Sequence, residues 1–227
     1  MRETTCTYLA AIPSKTVQAW GCAFGGFSES APTSIHRLEP PAATSVIVLC
    51  CGEPLTLQGA LTGGSTSRLY AFSAGLQVQA QRVLHAGIND CVEIRLPPLA
   101  SYALFGGAMA ESNREPVSLL DIAPQPISIL LDQLRDMGTW QHRLAAVNRF
   151  LQHGFAESKC RIPPELTWAW ETLERSHAIR RASASDFTKF RYAAVTEARI
   201  PVSRRIRFRG LKNHLLDVAE SNNAFGR

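Results

Sequence analysis

Residues Gly75–Gly107, GLQVQAQRVLHAGINDCVEIRLPPLASYALFGG, hold the reading that decides the fold. From Val78 to Leu84 apolar and polar residues alternate imperfectly, which predicts a first strand. Ala86-Gly87-Ile88-Asn89-Asp90 has turn chemistry: Gly87 tolerates positive φ, and Asn89 and Asp90 can bond nearby backbone. From Cys91 to Leu96 the alternation returns, with Val92, Ile94 and Leu96 on one face and Cys91, Glu93 and Arg95 on the other. Pro97-Pro98 ends this second strand, since neither proline can donate to a ladder. Leu99–Phe105 then predicts a short helix with Pro98 in its first turn. The expectation is strand, turn, strand, helix.

Upstream, Thr44–Cys51 (TSVIVLCC) is the strongest central strand in the chain. Gly52-Glu53-Pro54 turns it, Leu55-Thr56-Leu57 resumes it, and Gly59–Ser67 reads as a loop leading to Leu69–Phe72. Val17–Phe27 is apolar but broken by glycine, and its type stays open. Short strands with Gly/Pro turns argue for a barrel or sandwich rather than a parallel sheet. Downstream the period changes. Pro126–Met137 predicts a helix with Ile127, Ile129, Leu130, Leu131 and Leu134 clustered on one side, stopped by Gly138. Thr139 is placed to cap a second helix. There Trp140, Leu144, Val147 and Leu151 fall at i, i+4, i+7 and i+11, a single apolar stripe read as core. Pro163-Pro164 opens a third helix, Glu165–Arg175.

The order of these pieces resembles the sensor domain of AraC-type transcription regulators. It is carried by TSVIVLCCGEPLTLQ, RLYAFSAGLQ, LPPLASYALFGG, VSLLDI and LLDQLRDMGTWQHRLAAVNRFL, over roughly residues 32–176. The resemblance implies a cupin-like barrel, with Trp20 on an early aromatic-bearing strand. It also implies a helical hairpin that packs on the barrel and contributes to dimerisation, then a linker helix before the DNA-binding region. The expected fold class is therefore α+β: a small cupin-like β-barrel, a helical hairpin and linker helix, and a poorly defined basic tail. The expected domains are a β-rich sensor at 1–122, the helices at 123–177, and the tail at 178–227.

The tail departs from the resembled family. Two helix-turn-helix units should follow the linker helix, and residues 178–227 show neither. Its charge is distinctive all the same. After residue 177 there are 11 Lys/Arg against 4 Asp/Glu, leaving 13 against 15 in the rest, within a net charge of +5. Such asymmetry predicts contact with a polyanion, for which DNA is the expected partner. Arg204, Arg205, Arg207, Arg209 and Lys212 are the candidate DNA-binding residues. Unfolded basic tails also bind phosphates, so weak binding with little sequence preference is expected.

No catalytic constellation is legible. GxSxG, GxGxxG, HExxH and P-loop motifs are missing, and the six histidines lack metal-ligand spacing. A barrel fold is able to gather His36 with His85 in space, but the closely spaced cupin histidines are not there. The expectation is no enzymatic activity, no catalytic residue, no metal and no cofactor, with the ligand-binding residues left unassigned. Six scattered cysteines read as buried small hydrophobes of a reducing cytosol, with a redox sensor as the alternative. Of adjacent Cys50 and Cys51, one should be core and the other not. No apolar run reaches the roughly 18–20 residues of a membrane helix, and no secretory signal is legible. A cytoplasmic location, no membrane contact, a small-molecule effector and a homodimer complete the expectations. The function expected is an AraC-type regulator. The alternatives are a remnant that only binds ligand or dimerises, and a cupin-like small-molecule enzyme.

Overall fold

The computed structural model describes residues 4–40, 42, 44–59, 66–76, 80–108, 112 and 115–175. The basic tail, with Arg204, Arg205, Arg207, Arg209 and Lys212, lies outside the described residues. Residues 1–167 form one compact unit; residues 168–227 form another, described only for 168–175 at the end of the last helix.

The strands are β1 (Thr5–Ala10), β2 (Ala23–Glu39), β3 (Ser45–Cys50), β4 (Leu55–Gly59), β5 (Thr66–Leu69), β6 (Ala71–Ala74), β7 (Gln81–Leu96) and β8 (Val117–Ser118). The helices are α1 (Lys15–Ala19), α2 (Pro98–Phe105), α3 (Leu119–Ile122), α4 (Pro124–Asp136), α5 (Trp140–Glu157) and α6 (Pro164–Arg175). The sheet is antiparallel and open, in the order β1-β2-β7-β3-β6-β8, with β4 pairing β7 and β5. Among the described residues the strand pairing follows this open path, where the sequence reading expects a small cupin-like β-barrel.

The deciding stretch differs from its reading in one respect. Ala86–Asp90 does not turn: it lies inside the single 16-residue strand β7. Gly87 does take positive φ, +73°, but it serves a bend and the ladder continues. On β2 the register slips between Ala31 and Ile35, and Ala31 faces Gly87. Pro32, which cannot donate, sits in that irregular stretch. The bend divides β7 between two sets of partners. Gln81–Leu84 pairs with β4, and Cys91–Leu96 pairs with β3. A strand irregularity thus does the work that the sequence suggests for a hairpin turn.

The alternation from Cys91 to Leu96 separates two apolar layers. Val92, Ile94 and Leu96 join Phe24, Ile47, Leu49 and Cys51 on the outer face, packed with Leu130, Leu134, Val147 and Leu151 of α4 and α5. Cys91 joins Phe27, Val48, Cys50, Leu55, Leu57 and Phe72 on the inner face. Both faces of β3 are covered, so Cys50 and Cys51 are both buried, at 0% and 7% exposure. The expectation of one core cysteine and one surface cysteine fails because helices roof the outer face.

The helices seat on the sheet through specific contacts. Leu144, Val147 and Leu151 are buried, whereas Trp140, read as core, is only partly buried and lies at the rim. Thr139 caps α5 by accepting from the His142 amide at 3.4 Å. Arg143 donates through Nε to the Leu134 carbonyl at 2.9 Å and through Nη1 to Asp90 at 3.3 Å. It also lies 5.0 Å from the Trp140 ring centre. One side chain therefore ties α5 to α4 and to β7. Trp20 stacks on Phe155 at 4.9 Å, fixing the chain before β2 on the far end of α5.

Gly26 is the tightest seat. A Cβ there would fall on the ring carbons of Trp140. Overpacking of this kind typically costs roughly 1–3 kcal/mol. Gly26→Ala is expected to lower the unfolding free energy by that amount, read as a lower urea midpoint, while Gly52→Ala, where a Cβ meets nothing within 4 Å, leaves the midpoint almost unchanged. Equal midpoints for the two variants would show that Trp140 does not rest on β2.

Candidate functional site

The inner face carries charge where an apolar interior would be expected. Parity along β2 and β7 explains how it gets there. Phe27, Glu29 and Ala31 alternate on β2, and Glu29 faces Asn89 in the ladder. Residues 83, 85, 89, 91, 93 and 95 share one parity on β7, and Val83 and Cys91 of that set pack in the inner cluster. Glu29, Glu93, Arg95 and His85 are thereby drawn inside by neighbours whose burial is favourable.

Glu29 is the centre, with no exposed surface. It accepts from the Arg37 guanidinium through one carboxylate oxygen, and from His85 Nε2 through the other at 2.8 Å. The side chains of Arg37 and His85 are themselves 10% and 6% exposed. Nearby in sequence, Arg95 pairs with Glu93 at 2.8–2.9 Å, with side-chain exposures of 17% and 5%. Burial alone would push the Glu29 carboxyl up. The hydrogen bond from His85 and the charge and hydrogen bond of Arg37 outweigh burial, holding it below the ordinary carboxylate range.

Among the described residues, two polar atoms of this face have no hydrogen-bond partner. With Nε2 donating to Glu29, His85 Nδ1 is buried without a hydrogen bond, and so is Asn89 Nδ2. Asn89 Oδ1 is occupied, lying 2.9 Å from Cys91 Sγ. In the neutral ring Nδ1 is an acceptor, whereas the amide nitrogen is a donor. A buried polar group without a partner costs about 1–3 kcal/mol. A hydroxylated small molecule, able to give one hydrogen bond and take another, matches this complement.

His36 and His85 are not brought together. His36 faces Leu84 across the ladder and is exposed, while His85 faces Ile35 on the opposite side of the sheet. Among the described residues no group of three or more His, Cys, Asp or Glu is placed to hold a metal ion. Glu29 and Arg37 escaped the sequence reading because a charged residue in a strand is ordinarily taken as facing water. The available signal was parity: in Phe27-Ser28-Glu29-Ser30-Ala31 the glutamate shares the side of Phe27 and Ala31.

No family model matches the chain, and no curated protein matches it. Solved structures with cupin domains do. A cupin superfamily protein from Desulfitobacterium hafniense is 12% identical over 42% of this chain and 81% of its own, with a TM-score of 0.31. The cupin domain of an XRE-family transcriptional regulator from Enterobacter cloacae is 8% identical over 41% and 97%, also at 0.31. Hydroxypropylphosphonic acid epoxidase from S. wedmorenis is 6% identical over 40% of this chain at 0.33, and the chain spans 50% of the epoxidase's length. Likeness this slight carries no activity, substrate or partner to the chain. It does not bear on AraC membership or on a helix-turn-helix. It does correct one expectation: the similar structures include an enzyme, so the sequence-based exclusion of enzymatic activity is withdrawn. No helix among the described residues is long and apolar enough to cross a membrane.

Removing one partner of a buried ion pair typically costs about 3–5 kcal/mol. Glu29→Gln is expected to lose stability of that order near neutrality. The folded-state pKa of Glu29 is depressed, so its contribution is complete above the ordinary carboxylate range and is lost as pH falls through the folded value. The stability gap between wild type and Glu29→Gln should therefore be constant near pH 7 and shrink on acidification. A gap that is the same at every pH would mean that Glu29 is not held as a carboxylate.

Proposed function

We propose that the chain is the effector-binding and dimerising part of an AraC-type transcription regulator, with a basic tail that contacts DNA. One observation supports this above others. Residues 89–91 of β7 face both ways: Asn89 and Cys91 lie on the inner polar face, while Asp90 reaches out to Arg143 of α5. A ligand that changed the hydrogen bonding of Asn89 or His85 would act on the same three residues that anchor the helix. Sensing needs such a link between an interior and an effector surface. The paired charges Glu29–Arg37 and Glu93–Arg95 balance, which favours an uncharged, hydroxylated ligand over an ionic one.

In this reading α4 and α5 supply the dimer contact, and Ile129, 59% exposed on α4, is the apolar residue available there. Arg204, Arg205, Arg207, Arg209 and Lys212 neutralise phosphates. Phosphate contact alone gives affinity without base readout.

Two measurements test it. In a thermal-shift series of neutral polyols, hydroxy acids and amines, a neutral hydroxylated compound is expected to raise Tm in a saturable way, and His85→Phe to abolish the rise. Binding of the full chain to a promoter fragment and to a scrambled duplex should fall steeply with salt and differ little between the two. No binding to either duplex at low salt overturns the regulator reading. A Tm rise only with ionic ligands overturns the ligand class.

A further inference from the structure

Cys50 and Cys91 are direct partners in the β3–β7 ladder, and their sulfurs lie 3.5 Å apart. The backbone bonds show what kind of pair this is. The Cys50 amide donates away from β7, to the Tyr70 carbonyl at 2.7 Å, while the next amide, of Cys51, donates to the Asp90 carbonyl at 2.7 Å. Cys50 and Cys91 are therefore a non-hydrogen-bonded antiparallel pair, the closer of the two kinds, with Cα atoms typically about 4.5 Å apart. That falls within the roughly 4.4–6.8 Å that a disulfide spans. Both thiols are fully buried, on the inner face and within one apolar cluster.

We propose that Cys50 and Cys91 form a dithiol site that a peroxide oxidises to an intramolecular cross-strand disulfide. The other buried cysteines are not equivalent. Burial pushes the Cys22 thiol up to about 12 and the Cys51 thiol up to about 11. For Cys50 the hydrogen bond from Cys91 outweighs burial, and its thiol is held below the ordinary value. Cys91 has one S–H proton and two acceptors in reach, Asn89 Oδ1 at 2.9 Å and Cys50 Sγ at 3.5 Å. Directed at Cys50, that proton stabilises the thiolate, which is the nucleophilic form.

The chemistry balances with peroxide as the oxidant. The Cys50 thiolate attacks one peroxide oxygen; the S–O bond forms, the O–O bond breaks, and hydroxide leaves and is protonated to water. Cys91 then gives up its proton and attacks the Cys50 sulfur. The S–S bond forms, the S–O bond breaks, and a second water leaves. Two thiols are oxidised by two electrons, and one peroxide is reduced to two waters. The product removes the donor that Cys91 offers to Asn89, the residue across the ladder from Glu29. Oxidation would thus be felt at the polar cluster.

The test treats the full native chain with hydrogen peroxide, quenches it, alkylates in denaturant and reads peptides by mass spectrometry. The expected result is loss of alkylation at both residues. Tryptic peptide 38–68 should be joined to 83–95 with two hydrogens missing, reversibly with dithiothreitol. Peptide 38–68 also contains Cys51, so Cys51→Ser should keep the link and Cys91→Ser should lose it. Should either variant fail to fold, fragmentation of the wild-type linked peptide distinguishes Cys50 from Cys51. Full alkylation of Cys50 and Cys91 at a dose that oxidises the exposed Cys160 overturns the proposal. A bond from Cys91 to Cys51 or Cys22 overturns it equally.

Discussion

β7 must pair with three other strands at once, and the rest of the unit is arranged around that demand. Its length lies along β2, its first residues hold β4 and its last residues hold β3. Between the two ladders, residues 85–90 of β7 span the connection from β3 to β4. Gly87, at φ +73°, lets β7 bend without breaking its ladder to β2, and any L side chain there would pay the left-handed penalty. Because the bend preserves parity, the inner face stays continuous from His85 to Glu93. The charged cluster and the cysteine pair therefore share one surface.

That surface sets two physical tendencies against each other. Val48, Leu57 and Phe72 make the interior apolar, which penalises every charge placed in it. Glu29 remains ionised there because both of its oxygens are occupied by donors. A buried ion pair seldom adds net stability over apolar residues of similar volume. The cluster is better understood as a specifying element that fixes how β2 and β7 face each other, with His85 Nδ1 and Asn89 Nδ2 left without hydrogen bonds.

Legibility in the sequence followed the strength of apolar periodicity. β3 was readable because Val46–Cys51 is an unbroken apolar run flanked by turn residues. In α5, Leu144, Val147 and Leu151 keep strict helical spacing and are buried as read. β2 was not readable as a 17-residue strand, because Gly25-Gly26 and Pro32 are strand breakers by propensity. Their reason is tertiary: Tyr8 and Trp140 occupy the space that side chains at 25 and 26 would need. The Gly87–Asp90 segment carried real turn chemistry that pairing with β2 overrode. At the candidate site, His85 was singled out in the sequence, but with His36 as its partner, which the ladder places on the opposite side of the sheet. Glu29 carried only the parity it shares with Phe27 and Ala31, which does not by itself reveal that both faces of a strand are covered.

The alternation at the end of β7 also bears on how faithfully the chain folds. A slip of one residue against β3 would turn Cys91, Glu93 and Arg95 toward α4 and α5, and Val92, Ile94 and Leu96 toward the interior. Both charged side chains would then meet Leu130, Leu134 and Val147, where nothing apolar can satisfy them. The misregistered sheet is penalised on both faces at once, so the residues that make the interior costly also proofread the pairing.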